Sequence, residues 1–171
     1  MKPIILFLFL VLSSAFARAQ QSADSLLKIV LTPIQSIKVN AAQHEVNLEF
    51  DSTLDYTHGV ISSQEDHLEV MSSQMYEVRV GASTDLTNQH ESIDLNLINL
   101  TPSLGSIGEP RENINLSEVQ LSLSDTHMIR SEQGDVKRSY NIDYKMEADN
   151  QLMNKTQGEY NTIITYTILS L

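Results

Sequence analysis

Five histidines, His44, His58, His67, His90 and His127, are the side chains of this chain best suited to hold a metal or carry a proton near neutral pH. A zinc site needs several such nitrogens, or nitrogens with carboxylates, in one coordination sphere. No two of the five stand at a local pair spacing such as His-x-x-x-His, so only the fold could assemble a site, for instance His58 with His67 across the connection between two strands. Solvent-exposed loop histidines are the expected reading. The carboxylates are as dispersed, and no D-x-D-x-D-G calcium loop occurs. Glu65-Asp66, and Glu109 with Glu112, come nearest to the paired acids of glycoside hydrolysis, but in an acidic chain such loop pairs read as solvated charges. No G-x-S-x-G elbow marks a serine nucleophile. The absence of Cys removes thiol catalysis, Cys-based zinc sites and redox chemistry together. The expectation is a non-enzymatic protein with no catalytic residue, no cofactor and no metal.

The elements that would position any site are strands. Alternation of apolar and polar residues recurs along the chain, whereas helical periodicity is hard to find. Leu27, Ile29 and Leu31 alternate before Pro33, which stops pairing or confines it to an edge. Val46, Leu48 and Phe50 form a second set, Leu68 and Val70 a third, and Tyr76, Val78 and Val80 a fourth. Ile93, Leu95 and Leu97 follow, then Leu121 and Leu123, then Tyr140, Ile142, Tyr144 and Met146. The last run, Tyr160 to Ile168, carries β-branched or aromatic residues on both faces, as a central strand covered on both sides would. Asp55 to Gly59, Thr101 to Arg111, Glu132 to Asp135 and Asn150 to Gly158 read as connections, the second being the longest and the best candidate for a functional or crossover loop. The fold class this predicts is all-β: a single antiparallel immunoglobulin-like β-sandwich of about eight strands.

The N-terminus predicts where that sandwich works. Lys2, the apolar run Ile4 to Leu12 and the small residues Ala17 and Ala19 have the form of a secretory signal peptide over residues 1–19, cleaved before Gln20. Nine apolar residues are too few for a spanning helix, which needs roughly 20. The mature chain, residues 20–171, is then one exported domain with no integral membrane segment, located in the periplasm or on the cell surface. Cleavage removes Lys2 and Arg18 but no acid, leaving nine basic against 22 acidic residues and a formal charge of −13. Nucleic acid is an unfavourable partner for such a chain, because phosphate contacts need clustered Lys and Arg. The charge suits solubility and resistance to edge-to-edge association.

Three runs carry a resemblance: Val46-Asn47-Leu48-Glu49-Phe50 with Leu54-Asp55-Tyr56-Thr57-His58-Gly59-Val60, then His67 to Val80, then Gly158 to Ile168. Their order resembles exported bacterial β-sandwich surface proteins of the WxL, spore-coat-U-like and pilin-like kind, although the WxL motif is missing because the chain has no Trp. The resemblance implies an extracytoplasmic structural role with no catalytic residues. Two functions follow as expectations. One is an envelope or cell-surface module that binds an envelope protein or a polysaccharide through loops and sheet edges. The other is a fimbrial subunit that pairs with itself by strand exchange, with Leu27, Ile29 and Leu31 as the donor strand.

Overall fold

The computed structural model describes residues 21–88, 90–110 and 112–171. Ala17, Ala19 and Gln20, the expected processing site, lie outside them. The chain divides into two compact units, Met1–Leu31 and Thr32–Leu171. In the first, residues 21–31 form no strand and are exposed, Leu27 at 83%, Ile29 at 74% and Leu31 at 89%. The strand expected there is not formed. Leu26 and Val30 put apolar side chains on the second face too, so the segment would need cover on both sides, and Pro33 cannot donate to a ladder.

The second unit is all-β, and every strand pairing in it is antiparallel. Its strands are β1 (Gln35–Val39), β2 (Val60–Ser72), β3 (Tyr76–Ala82), β4 (Leu86–Thr87), β5 (Ser92–Ile93) and β6 (Ile98–Leu104). They continue with β7 (Ile114–Leu116), β8 (Val119–Gln120), β9 (Thr126–Ser131), β10 (Asp135–Met146) and β11 (Ile164–Ser170). One sheet has the order β1-β2-β10-β6-β8, a second β11-β3-β9-β7, and β4 pairs with β5 alone. The described residues thus hold eleven strands in three sheets, where about eight strands were expected. Alternate side chains explain how the two large sheets make one core. Leu68, Val70, Leu100, Tyr140, Ile142 and Tyr144 come from the first sheet, and Tyr76, Val78, Val80 and Ile129 from the second. Truncating a fully buried Leu100 to Ala costs about 2–5 kcal/mol at such a site.

Two irregularities interrupt the pairing of β10 with β2. Tyr140 pairs with Leu68 but Ile142 with Gln64, so β2 carries two extra residues between these registers. Asp66 absorbs the kink with φ 49°, in the left-handed region that Asp and Asn reach more easily than most residues. His67 and Leu68, neighbours that a regular strand would send to opposite faces, are therefore both buried. The register also shifts between Asp135 and Arg138, after which Arg138, Ser139 and Tyr140 are all buried in succession.

Six local expectations need correction. Ile93, Leu95 and Leu97, read as one set, divide between β5 and a 3-10 turn at Leu95–Leu97, and Leu121 and Leu123 lie outside any strand. Asp55 to Gly59, read as a loop, belongs to a short helix α1 (Thr53–His58). Ser52 caps it: the Asp55 N–H donates to Ser52 Oγ and the Ser52 N–H donates to Asp55 Oδ2. Gly59 ends it at φ 78°, where a Cβ would meet the Met146 carbonyl. Val46 to Phe50, read as a strand, lies outside any strand and its backbone is unpaired. The first part of Thr101 to Arg111 is strand, since β6 runs through Pro102. That proline is tolerated because β8 pairs only with Asn99 and Leu100, leaving β6 an edge beyond them. Finally, β11 begins at Ile164 and is an edge strand of its sheet rather than a central one, with Ile163 just before it 70% exposed.

Candidate functional site

Residues 45–50 carry the pattern of a strand without its pairing. Val46, Leu48 and Phe50 are half-buried against the core, and Glu45, Asn47 and Glu49 face outward. Among the described residues, no backbone N–H or C=O of this segment has a protein hydrogen-bond partner. The six residues belong to no sheet, so their backbone groups are left to water and are free to pair with an added strand. The segment is held by its apolar side chains and by α1 at its end, where Phe50 packs on Tyr56 at 5.4 Å between ring centroids and the Asp51 N–H donates to Asp55 Oδ2.

Beside this segment lies a cleft of about 700 Å³. Its floor is apolar, with Ile93, Ile98, Tyr144, Met146 and Leu152 among its side chains. Residues 155–162 form part of its wall. Glu91 anchors that wall by accepting from the Thr156 N–H at 2.9 Å and from the Thr156 hydroxyl, and Lys155 Nζ donates to the Ser92 carbonyl at 2.6 Å. Asn161 adds one bridge to Thr87. The volume is in the range of ligand sites, and the mixture of an apolar floor with a polar rim is their usual chemistry.

The bulge in β2 turns His67 inward against Tyr144, which itself lines this cleft. Gln43 Nε2 donates to the Glu65 carbonyl at 2.9 Å, which leaves Gln43 Oε1 as the acceptor facing His67 Nδ1 at 3.0 Å. His67 is therefore protonated on Nδ1, and its Nε2 accepts from the Tyr144 hydroxyl at 2.7 Å. The Tyr144 oxygen in turn accepts from Tyr166, from the other sheet. Desolvation first, and then His44, lowers the His67 pKa to about 4, so the ring stays neutral. Burial raises Tyr144 to about 12 and Tyr166 well above its ordinary value. Each group is satisfied by its neighbour and no nucleophile is activated, so the relay clamps the sheets.

The remaining candidates from the sequence are dispersed or structural. His58 closes α1, with Nδ1 2.9 Å from Thr57 Oγ1, while His44 and His90 lie outside strands and His127, on β9, stands 3.4 Å from Glu77 on β3. Thus His58 and His67 hold separate contacts. Among the described residues, no group of three His, Cys, Asp or Glu could hold a metal ion. Asp66 is tied by the hydroxyls of Ser106 and Ser139, both at 2.5 Å, and these bonds, that of Ser106 first, hold its pKa below the usual carboxylate value. The expected long loop is pinned by this knot, with Gly105 donating to the Ser139 carbonyl at 3.0 Å. Arg138, nearly fully buried, pairs with Asp135 at 2.9 Å and donates to the Glu109 carbonyl at 2.6 Å. Glu109 thus meets Arg138 through its backbone, and both it and Glu112 are exposed.

The sequence marked the apolar residues 46, 48 and 50 but not the cleft. An apolar alternation reports half-burial and says nothing of which edge is left open. No helix among the described residues is long and apolar enough to cross a membrane. No family model and no curated protein matches this chain.

Proposed function

We propose that this chain is a non-enzymatic, exported envelope or cell-surface structural or binding module that acts by contact through loops and a sheet edge. One observation carries the reading: a backbone-unpaired segment with strand-like alternation, residues 45–50, flanks an apolar-floored cleft of about 700 Å³. The signal-like N-terminus and the resemblance to exported surface sandwiches of immunoglobulin-like kind support the same reading. Its partner is an envelope protein or a polysaccharide. The test is to immobilise purified protein and offer envelope proteins and glycans. Retention of one component, weakened by a bulky Gln157→Trp on the cleft wall, supports the reading. Turnover of a glycan that disappears when a loop carboxylate is changed would overturn it.

A second reading is favoured by a separate observation. Leu27, Ile29 and Leu31 are exposed and outside any strand, as a donor segment would be before it finds an acceptor. On this reading the chain is a pilin-like fimbrial subunit that polymerises by strand exchange. Size-exclusion chromatography decides it. Deleting residues 20–33 abolishes polymers if the segment is donated, whereas a stable monomer that keeps the segment protected excludes donation.

A further inference from the structure

We propose that residues 45–50 are an acceptor strand whose partner is an extended segment of another protein with the pattern basic, apolar, polar, apolar, basic. The inference rests on the contact-module reading and names the partner's chemistry. Its first ground is the backbone. Six consecutive residues offer N–H and C=O groups that no described residue satisfies, and an added strand satisfies such a row directly. At about 3.3 Å per residue, a strand formed over these six residues is roughly 17 Å long, enough for a partner segment of five or six residues.

The second ground is facing. Val46, Leu48 and Phe50 are already seated against the core, so the strand cannot rotate, and a partner paired to it sends alternate side chains toward the same apolar floor. Those positions must be apolar. The intervening positions stand beside Glu45, Asn47 and Glu49 on the solvent side.

Charge selects among apolar-alternating segments. Glu45, Glu49, Asp51 and Glu159 line the cleft, and none has an ion-pair partner among the described residues. Lys155, the one basic residue lining it among the described residues, already donates to the Ser92 carbonyl and lies 3.9 Å from Glu91. Opposite charges directly across an antiparallel pair attract and like charges repel. Glu45 and Glu49 are four residues apart on one face, so the partner's basic residues fall four apart as well. The chain's own Leu26-Leu27-Lys28-Ile29-Val30-Leu31 has a single Lys and does not meet this pattern.

The test uses the purified protein and a labelled ten-residue peptide with a central Lys-Leu-Thr-Val-Lys, followed by fluorescence anisotropy and amide hydrogen exchange. The expected result is saturable binding at low salt, with slowed exchange at amides within 45–50. Glu45→Lys with Glu49→Lys, both exposed, weakens binding at least tenfold without moving the thermal midpoint. The same peptide with Glu for Lys does not bind. Binding that leaves exchange at 45–50 unchanged overturns the acceptor strand while leaving a contact module in place. Equal binding of the acidic peptide, or no binding of the basic one, overturns the assigned partner. Tighter binding of a peptide spanning residues 24–33 overturns it in favour of a second copy of this chain.

Discussion

The Tyr144 and Tyr166 hydroxyls lie 2.5 Å apart and join the two large sheets, Tyr144 from β10, where it also lines the cleft, and Tyr166 from β11. The two donors are not equivalent. Tyr144 both accepts from Tyr166 and donates to His67, whereas Tyr166 only donates. Tyr166→Phe should therefore cost about 1 kcal/mol, and Tyr144→Phe about 2–4 kcal/mol, because the latter strands both His67 Nε2 and the Tyr166 hydroxyl. Urea unfolding of the two variants checks the order. Equal losses would mean that the relay does not run through Tyr144.

Acidification should weaken the fold through His67. Its folded pKa of about 4 lies below the unfolded value of about 6.5, so the unfolded chain takes up a proton first. Stability is complete above pH 6.5 and falls as the pH drops toward 4, by roughly 2–3 kcal/mol from this group. Asp66, also held below its ordinary pKa, adds a loss in the same direction at the acid end. The pH dependence of the urea midpoint, compared with a His67→Gln variant, isolates the histidine term. The variant should show a flatter profile between pH 6.5 and 4.

Arg138 and Asp135 form the buried ion pair beneath the Glu132 to Asp135 turn, and Tyr76 donates to the second Asp135 oxygen at 2.9 Å. Burying one charge without the other costs more than the pair contributes. Arg138→Met alone should lose about 3–5 kcal/mol, and combining it with Asp135→Leu should recover part of that loss. A double-mutant cycle measures the coupling. Additive losses would show that the two side chains act independently. Gly108, at φ +113°, lies so close that a Cβ would approach the guanidinium carbon to 2.8 Å, so Gly108→Ala should also destabilise this corner.

Helix α1 buries none of its residues, so its cap matters to it more than its packing does. Ser52→Ala should cost about 1 kcal/mol and loosen α1. Because α1 anchors Asp51 and packs Tyr56 on Phe50, the same change should raise amide exchange in residues 51–58 while leaving β10 protected. Exchange mass spectrometry reads both regions at once.

The all-β class was legible wherever alternation coincides with burial. Tyr76, Val78 and Val80 on β3, and Tyr140, Ile142, Tyr144 and Met146 on β10, face the core as their period implies. Other features were hidden for physical reasons. His67 is buried only because the kink at Asp66 turns two neighbours inward, and that depends on Ser106 and Ser139, 40 and 73 residues away. The edge position of β11 follows from strand order, which local pattern does not encode. Helix α1 did leave a signal, the capping box Ser52-Thr53-Leu54-Asp55 followed by Gly59, and its short length masked the periodicity. The cleft left only the apolar trio 46, 48 and 50.

Amide hydrogen exchange of the free protein across residues 45–50 tests the central claim most directly. An unpaired segment waiting for a partner should exchange at these amides close to the rate of an unstructured chain, while Leu68, Val70, Val78, Val80 and Tyr140 to Tyr144 remain protected by their ladders. Protection of residues 45–50 comparable to that of β10 would show the segment already paired and would contradict the account.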